Sequence, residues 1–103
     1  MLDIREIREL CTDDRIILTQ HVVKRCQERG IAFNDIVNAI LRGEIIEQYP
    51  DDYPYPSCLI LSDGPLHVVA GIGQGMIWII TAYKPTAQKW ESDWKTRKAG
   101  DSL

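Results

Sequence analysis

The chain lacks any apolar run approaching the roughly 20 residues that cross a bilayer. Its opening stretch, MLDIREIREL, is charged from the third residue, so it is not expected to be a secretory leader with an apolar centre. No membrane contact is therefore expected, and a cytoplasmic location is. Cysteine is scarce: Cys11, Cys26 and Cys58 are odd in number and widely spaced. Neither a zinc pattern nor a disulfide framework fits them, so three reduced, mostly buried thiols are expected, with no metal and no cofactor. An excess of positive charge is missing too. Twelve Lys and Arg stand against 15 Asp and Glu, for a net charge of −3. Non-specific nucleic-acid binders are usually basic, so any polyanion site here has to be a local patch.

At 103 residues the chain is one domain, 45% apolar and 26% charged, able to bury a modest core without staples. No repeat or low-complexity segment divides it. Residues 3–11, DIREIRELC, set Ile4, Ile7, Leu10 and Cys11 at helical spacing behind Asp3 as N-cap. RIIL, after a polar link, reads as a short extended piece. Residues 20–29 predict a second helix, capped by Thr19 and ended by Gly30. Residues 35–42 predict a third, capped by Asn34 and ended by Gly43, with Ile36, Val37, Ile40 and Leu41 as its core stripe. Four strands follow: EIIEQY (44–49), SCLILS, LHVVAGI and MIWIITAY. A stiff loop with three prolines, PDDYPYP, separates the first two, and Asp63-Gly64 marks a hairpin. The glycines of GIGQG lie between strands with no helix after them, so they read as a turn or bulge and not as a phosphate loop. Thr86 onward, TAQKWESDWKTRK, predicts a C-terminal helix with Trp90 and Trp94 on one side. The fold class is thus α+β: a helical part (1–43) packed on a four-stranded antiparallel meander (44–85), then a C-terminal helix (86–98) and a frayed tail (99–103).

The chemistry concentrates in HVVKRCQERG. At 100° per residue, His21, Arg25 and Arg29 form a stripe along the margin of the helix's apolar side, with Lys24 and Glu28 flanking it. Such a stripe is often only a solvated face with Glu28 pairing Lys24 or Arg25. The histidine argues for more: a neutral imidazole beside two guanidiniums suits proton transfer next to a phosphate. His67, between Leu66 and Val68, is either a satisfied structural histidine or a partner that meets His21 across the seam. At the end of the last strand Tyr83 shares a face with Thr81, and Lys84 follows; a phenol and an ammonium can both serve a phosphate. Two adjacent aspartates in DDYPYP are too few for a metal.

Together, H-x-x-x-R-x-x-x-R-G-I, a short helix ending in Arg-Gly-Glu, the proline-broken loop, PLHVV and I-I-T-A-Y-K-P followed by Trp resemble the domain-of-unknown-function 4258 family, over about His21 to Trp90. The resemblance implies the barnase–EndoU–colicin–RelE-like ribonuclease fold. With it come a metal-independent endoribonuclease activity, RNA as substrate (ribosome-bound mRNA included), and a small antitoxin protein as partner in a bacterial toxin–antitoxin pair. Carried onto this chain, the catalytic candidates are His21, Arg25, Arg29, His67 and Tyr83. Lys84, Thr81 and Lys24 are the substrate-binding candidates. The alternative is a non-catalytic protein- or RNA-binding module that works through the YPDDYPYP loop and Trp90.

Overall fold

A computed structural model of the protein describes residues 1–99. Three helices come first: α1 (Ile4–Glu9), α2 (Gln20–Glu28) and α3 (Phe33–Arg42). A single 3-10 turn at Asp13–Arg15 leads into β1 (Ile16–Ile17) between α1 and α2. Four longer strands follow α3: β2 (Glu44–Tyr49), β3 (Ser57–Ser62), β4 (Leu66–Gly73) and β5 (Met76–Tyr83).

The α+β class is as expected, but the sheet is not a four-stranded antiparallel one: it is five-stranded and mixed, in the order β1-β5-β4-β3-β2, with β2 to β5 antiparallel to their neighbours. The added strand is the extended piece in RIIL, whose Ile16 and Ile17 pair in parallel with Ile77 and Trp78. Two β-branched residues placed beside an unpaired strand edge satisfy backbone groups that would otherwise be left open. Gln74 and Gly75, both at positive φ (56° and 73°), make the two-residue turn between β4 and β5, as GIGQG predicts.

All three helices lie on one face of the sheet. Ile7, Val22, Cys26, Ile36 and Ile40 pack there on Cys58, Ile60, Val68, Ala70, Ile77, Ile79 and Ala82. The caps on α1 and α2 are those the sequence predicts: Asp3 accepts from the Arg5 amide and Thr19 from the Val22 amide. The start of α3 is corrected to Phe33. Asp35, not Asn34, secures it, by accepting from the Ala32 amide at 2.8 Å. Its buried set is Ile36, Ala39 and Ile40, while Leu41 is exposed, as is Val23 on α2.

The predicted helix over 86–98 does not form. Asp93 accepts from the amides of Lys95 and Thr96 and from the Thr96 hydroxyl, and these local bonds compete with a helical ladder. The segment doubles back instead, with Trp90 bridging antiparallel to Arg97. It lies as a strap over the sheet face that carries no helix. The predicted tail falls outside the described residues apart from Ala99. Among the described residues no helix is long and apolar enough to cross a membrane. Cys26 and Cys58 are buried, Cys11 is half-buried, and all three are free. Burial pushes the Cys58 thiol up to about 12, which leaves it inert as a nucleophile.

The passage from α3 to β2 is tight. Arg8 reaches from α1 to the carbonyls of Ile40 (3.0 Å) and Gly43 (2.7 Å), capping the end of α3 with a cation. A Cβ on Gly43 would collide with the Ala39 and Leu61 carbonyls and the Ile60 side chain. Gly43→Ala is expected to cost about 1–3 kcal/mol by overpacking. Urea unfolding measures it, and a loss below about 0.5 kcal/mol would contradict this packing.

Candidate functional site

The sheet separates the sequence candidates into two groups. His21, Lys24, Arg25 and Arg29 are all exposed on α2, on the helical side and along the free edge of β5. His67 and Tyr83 face the opposite side, paired across β4 and β5. His67 therefore does not meet His21, because residue 67 alternates with the core-facing Val68 and points to the strap.

Arg29 is the member of the stripe that reaches the sheet. Partner strand β1 covers β5 only as far as Trp78, so the edge at Ala82 is open. The Arg29 guanidinium donates to the Ala82 carbonyl at 2.8 Å and to the Thr81 hydroxyl at 3.4 Å. Gly30, at φ +69°, turns the chain directly after α2 and lies against the Lys84 ammonium, whose Nζ is 3.7 Å from where a Cβ would sit. Thr81, Lys84 and Arg29 thus converge on the end of β5. Arg25 instead forms an exposed ion pair with Glu28 at 3.5 Å. His21 lines a separate groove with Tyr55, Trp78 and Ile80.

On the other side His67 is fully buried, at 0% exposure. Its Nε2 lies 2.8 Å from the Trp94 carbonyl, which can only accept, so Nε2 carries the proton. Nδ1 then holds a lone pair and accepts from the Tyr83 hydroxyl at 3.2 Å. Trp90 packs edge-on against the imidazole at 4.5 Å between ring centres. Burial lowers the His67 pKa, outweighing the Trp94 hydrogen bond and the nearby Glu47 carboxylate, so the ring stays neutral. Burial likewise raises the Tyr83 phenol, keeping it protonated. The strap is fixed by charge as well. Arg97 lies 4.6 Å over the Trp90 ring and grips Glu47 through two bonds of 3.1 and 3.0 Å, and Lys95 pairs with Glu44 at 2.7 Å. Burial opposes the charge on Glu47, but hydrogen bonds from Arg97 and Tyr49 hold its pKa below the ordinary value.

Tyr83 opens into a cleft of about 290 Å³ lined also by Lys84, Thr86, Lys89, Trp90 and Arg97. Lys84 and Lys89 have no ion pair among the described residues. The cleft combines a phenol on a neutral imidazole with unpaired ammonium groups, which suits an anion whose proton has to move. No group of three or more His, Cys, Asp or Glu that could hold a metal occurs among the described residues. Sequence reasoning missed Lys89, Arg97 and Glu47. The first two sat in a segment read as a helix. The available signal was Asp93 followed by Trp-Lys-Thr, where the aspartate can accept from amides two and three residues on, the pattern of a side-chain-to-backbone turn.

The neutral state of His67 ties stability to pH. Its folded pKa lies below the ordinary 6.5, so between those two values the unfolded chain binds more protons. Its contribution is full above 6.5 and is lost as pH falls toward the depressed folded value. Urea unfolding is expected to show lower stability at about pH 5 than at about pH 7.5, above the range where Glu47 protonates. The difference should shrink in His67→Gln; an equal difference in the variant would remove His67 as its source.

No curated protein and no solved structure matches the chain. A family model described as "Domain of unknown function (DUF4258)" does, over residues 18–84. The matched stretch runs from the lead into α2 to the residue after β5 and takes in the stripe on α2, His67, Thr81, Tyr83 and Lys84. The chain, with well over half its length inside that match, belongs to the DUF4258 family.

Proposed function

We propose that the protein is an endoribonuclease that cleaves RNA by attack of a 2′-hydroxyl on the adjacent phosphate, acting as the toxin of a toxin–antitoxin pair. The toxin assignment leans on membership of the DUF4258 family and on the RelE-like ribonuclease fold that the sequence resemblance implies for it. The chemical assignment leans on one observation: the Tyr83 hydroxyl is bonded to a buried, neutral His67 at the floor of a cleft edged by Lys84 and Lys89.

In this scheme the 2′-hydroxyl passes its proton to the Tyr83 oxygen as the phenol's own proton moves to His67 Nδ1. The 2′-oxygen bonds to phosphorus and the bond to the 5′-oxygen breaks. The proton returns along the same relay to the departing 5′-oxygen, leaving a 2′,3′-cyclic phosphate and a 5′-hydroxyl. Glu47, joined to Arg97, steadies the transient imidazolium. Lys84 and Lys89 stabilise the charge that builds on the phosphoryl oxygens. Arg29 positions Lys84 by holding the end of β5. The stripe of His21, Lys24 and Arg25 becomes a binding rail and not the proton-transfer group.

A second reading keeps the surface and drops the chemistry. The complete burial of His67 and the net charge of −3 favour a non-catalytic binding module.

Incubation of RNA with purified protein, with and without ribosomes, separates the two. Cleavage to cyclic-phosphate ends is expected, with Lys84→Ala and Tyr83→Phe each slower by about 10²- to 10³-fold. The acid limb of the pH–rate profile is expected below 6.5, where His67 begins to hold a proton. Intact RNA in both conditions, with harmless expression in cells, would leave the binding module as the function.

A further inference from the structure

A second concave feature lies along the same strand. A groove of about 520 Å³ is formed by Tyr53, Pro54 and Tyr55 of the proline-broken loop, by Trp78 and Ile80 of β5, and by His21 at the start of α2. Its surface is mainly apolar and aromatic. Trp78 is paired with Gly71, two residues along β4 from Val69 and four from His67, so it shares the helix-free face with Thr81 and Tyr83. A register shift between Val69 and Ala70 leaves Ile80 as the extra residue of β5. Its side chain falls over Gly71 and is 46% exposed.

The groove is already shaped. Tyr55 stacks on Trp78 with 5.6 Å between ring centres, and Gly73 has no side chain because the Tyr55 ring occupies the place where one would stand. The Trp78 indole donates to the Gly73 carbonyl at 3.0 Å. Asp52 accepts from the Ser57 hydroxyl, which fixes the base of the loop. Tyr53 is 96% exposed, with an aromatic face free to cover a ligand.

We infer that this groove holds an unpaired RNA base upstream or downstream of the bond cut at Tyr83, so that the substrate is a single strand lying along β5. The inference rests on the ribonuclease reading and extends it. Continuity is the first argument. Trp78 and Tyr83 are five residue steps apart, at most about 16 Å at ~3.3 Å each, a span of about four to five stacked nucleotides at ~3.4 Å. Charge is the second. Lys24 and Arg29 lie along the α2 side, with His21 at the groove margin, while Asp51 and Asp52 stand on the loop side. Phosphates are drawn to the helix side and repelled from the loop, which leaves only the bases to reach Tyr53 and Ile80. Chemistry is the third. Bases stack on aromatic rings without sequence preference, and a paired base has no free face to offer. A duplex is therefore excluded from the groove.

The test uses Tyr83→Phe protein, slowed about 10²- to 10³-fold so that binding is read before cutting, and fluorescence-labelled RNA of about two and about six nucleotides, single- and double-stranded. Tighter binding of the longer single strand is expected. Tyr53→Ala and Ile80→Ser, both at exposed positions, are expected to weaken that binding about 5- to 150-fold, the range for one stacked base. Equal affinity for duplex RNA, or binding of the longer strand untouched by both variants, overturns the groove assignment and hands the groove to a protein partner. Tyr53-dependent binding in a wild-type protein that cuts nothing removes the ribonuclease reading and keeps the RNA groove. Absence of RNA binding overturns both.

Discussion

The hydrogen bond from His67 to the Trp94 carbonyl governs much of what the sheet's helix-free face can do. It fixes the ring's tautomer and leaves Nδ1 as an acceptor for Tyr83. It also fastens the strap at a point where the backbone is held unfavourably: Trp94 has φ 60°, a conformation that costs an L-residue about 1–2 kcal/mol. A carbonyl aimed by that conformation at a buried imidazole N–H is the return for the strain. Without it, His67 would be a buried polar ring with an unmet donor, and Trp90 would lose the surface it packs on.

The two halves of the molecule do separate work. The helical face is an ordinary apolar core, and its helices bring no titratable side chain to His67 or Tyr83. What they contribute is placement. The turn at Gly30 sets the end of α2 against Lys84, and Arg29 closes the open edge of β5. The opposite face carries the titratable groups, and it is the strap that dries them. Glu47 and Arg97 show how: each would be a routine surface charge, yet joined over Trp90 they form a lid edge beside the Tyr83 cleft.

Most of the fold was legible because local signals agreed with one another. Thr19 and Gly30 bound α2, Gly43 ends α3, and alternation in LHVVAGI and MIWIITAY separates His67 and Tyr83 from Val68 and Ala82. The candidate site was legible in part: His67, Tyr83 and Lys84 could be named, but Lys89, Arg97 and Glu47 could not, nor could the arrangement. Helix geometry put His21, Arg25 and Arg29 on one stripe, yet sequence cannot tell which side of a sheet that stripe adjoins. The C-terminal segment was misread because tryptophans four apart fit a helix, while the bonds from Asp93 that break one are short-range and compete only when tertiary burial favours them. β1 was too short for its pairing to be read, since two isoleucines gain their meaning only beside Ile77 and Trp78.

The opposite edge of the sheet carries its own consequence. Among the described residues β2 has a strand neighbour on one side only, and an outer strand of this kind invites pairing with another molecule. Here the residues before α1 run beside it, and the Gln48 side-chain amide both donates to the Leu2 carbonyl and accepts from the Leu2 amide. One side chain thereby offers Leu2 the same donor and acceptor that a neighbouring backbone would. With its hydrogen bonds taken up by Leu2, this stretch of β2 has less to offer a foreign strand.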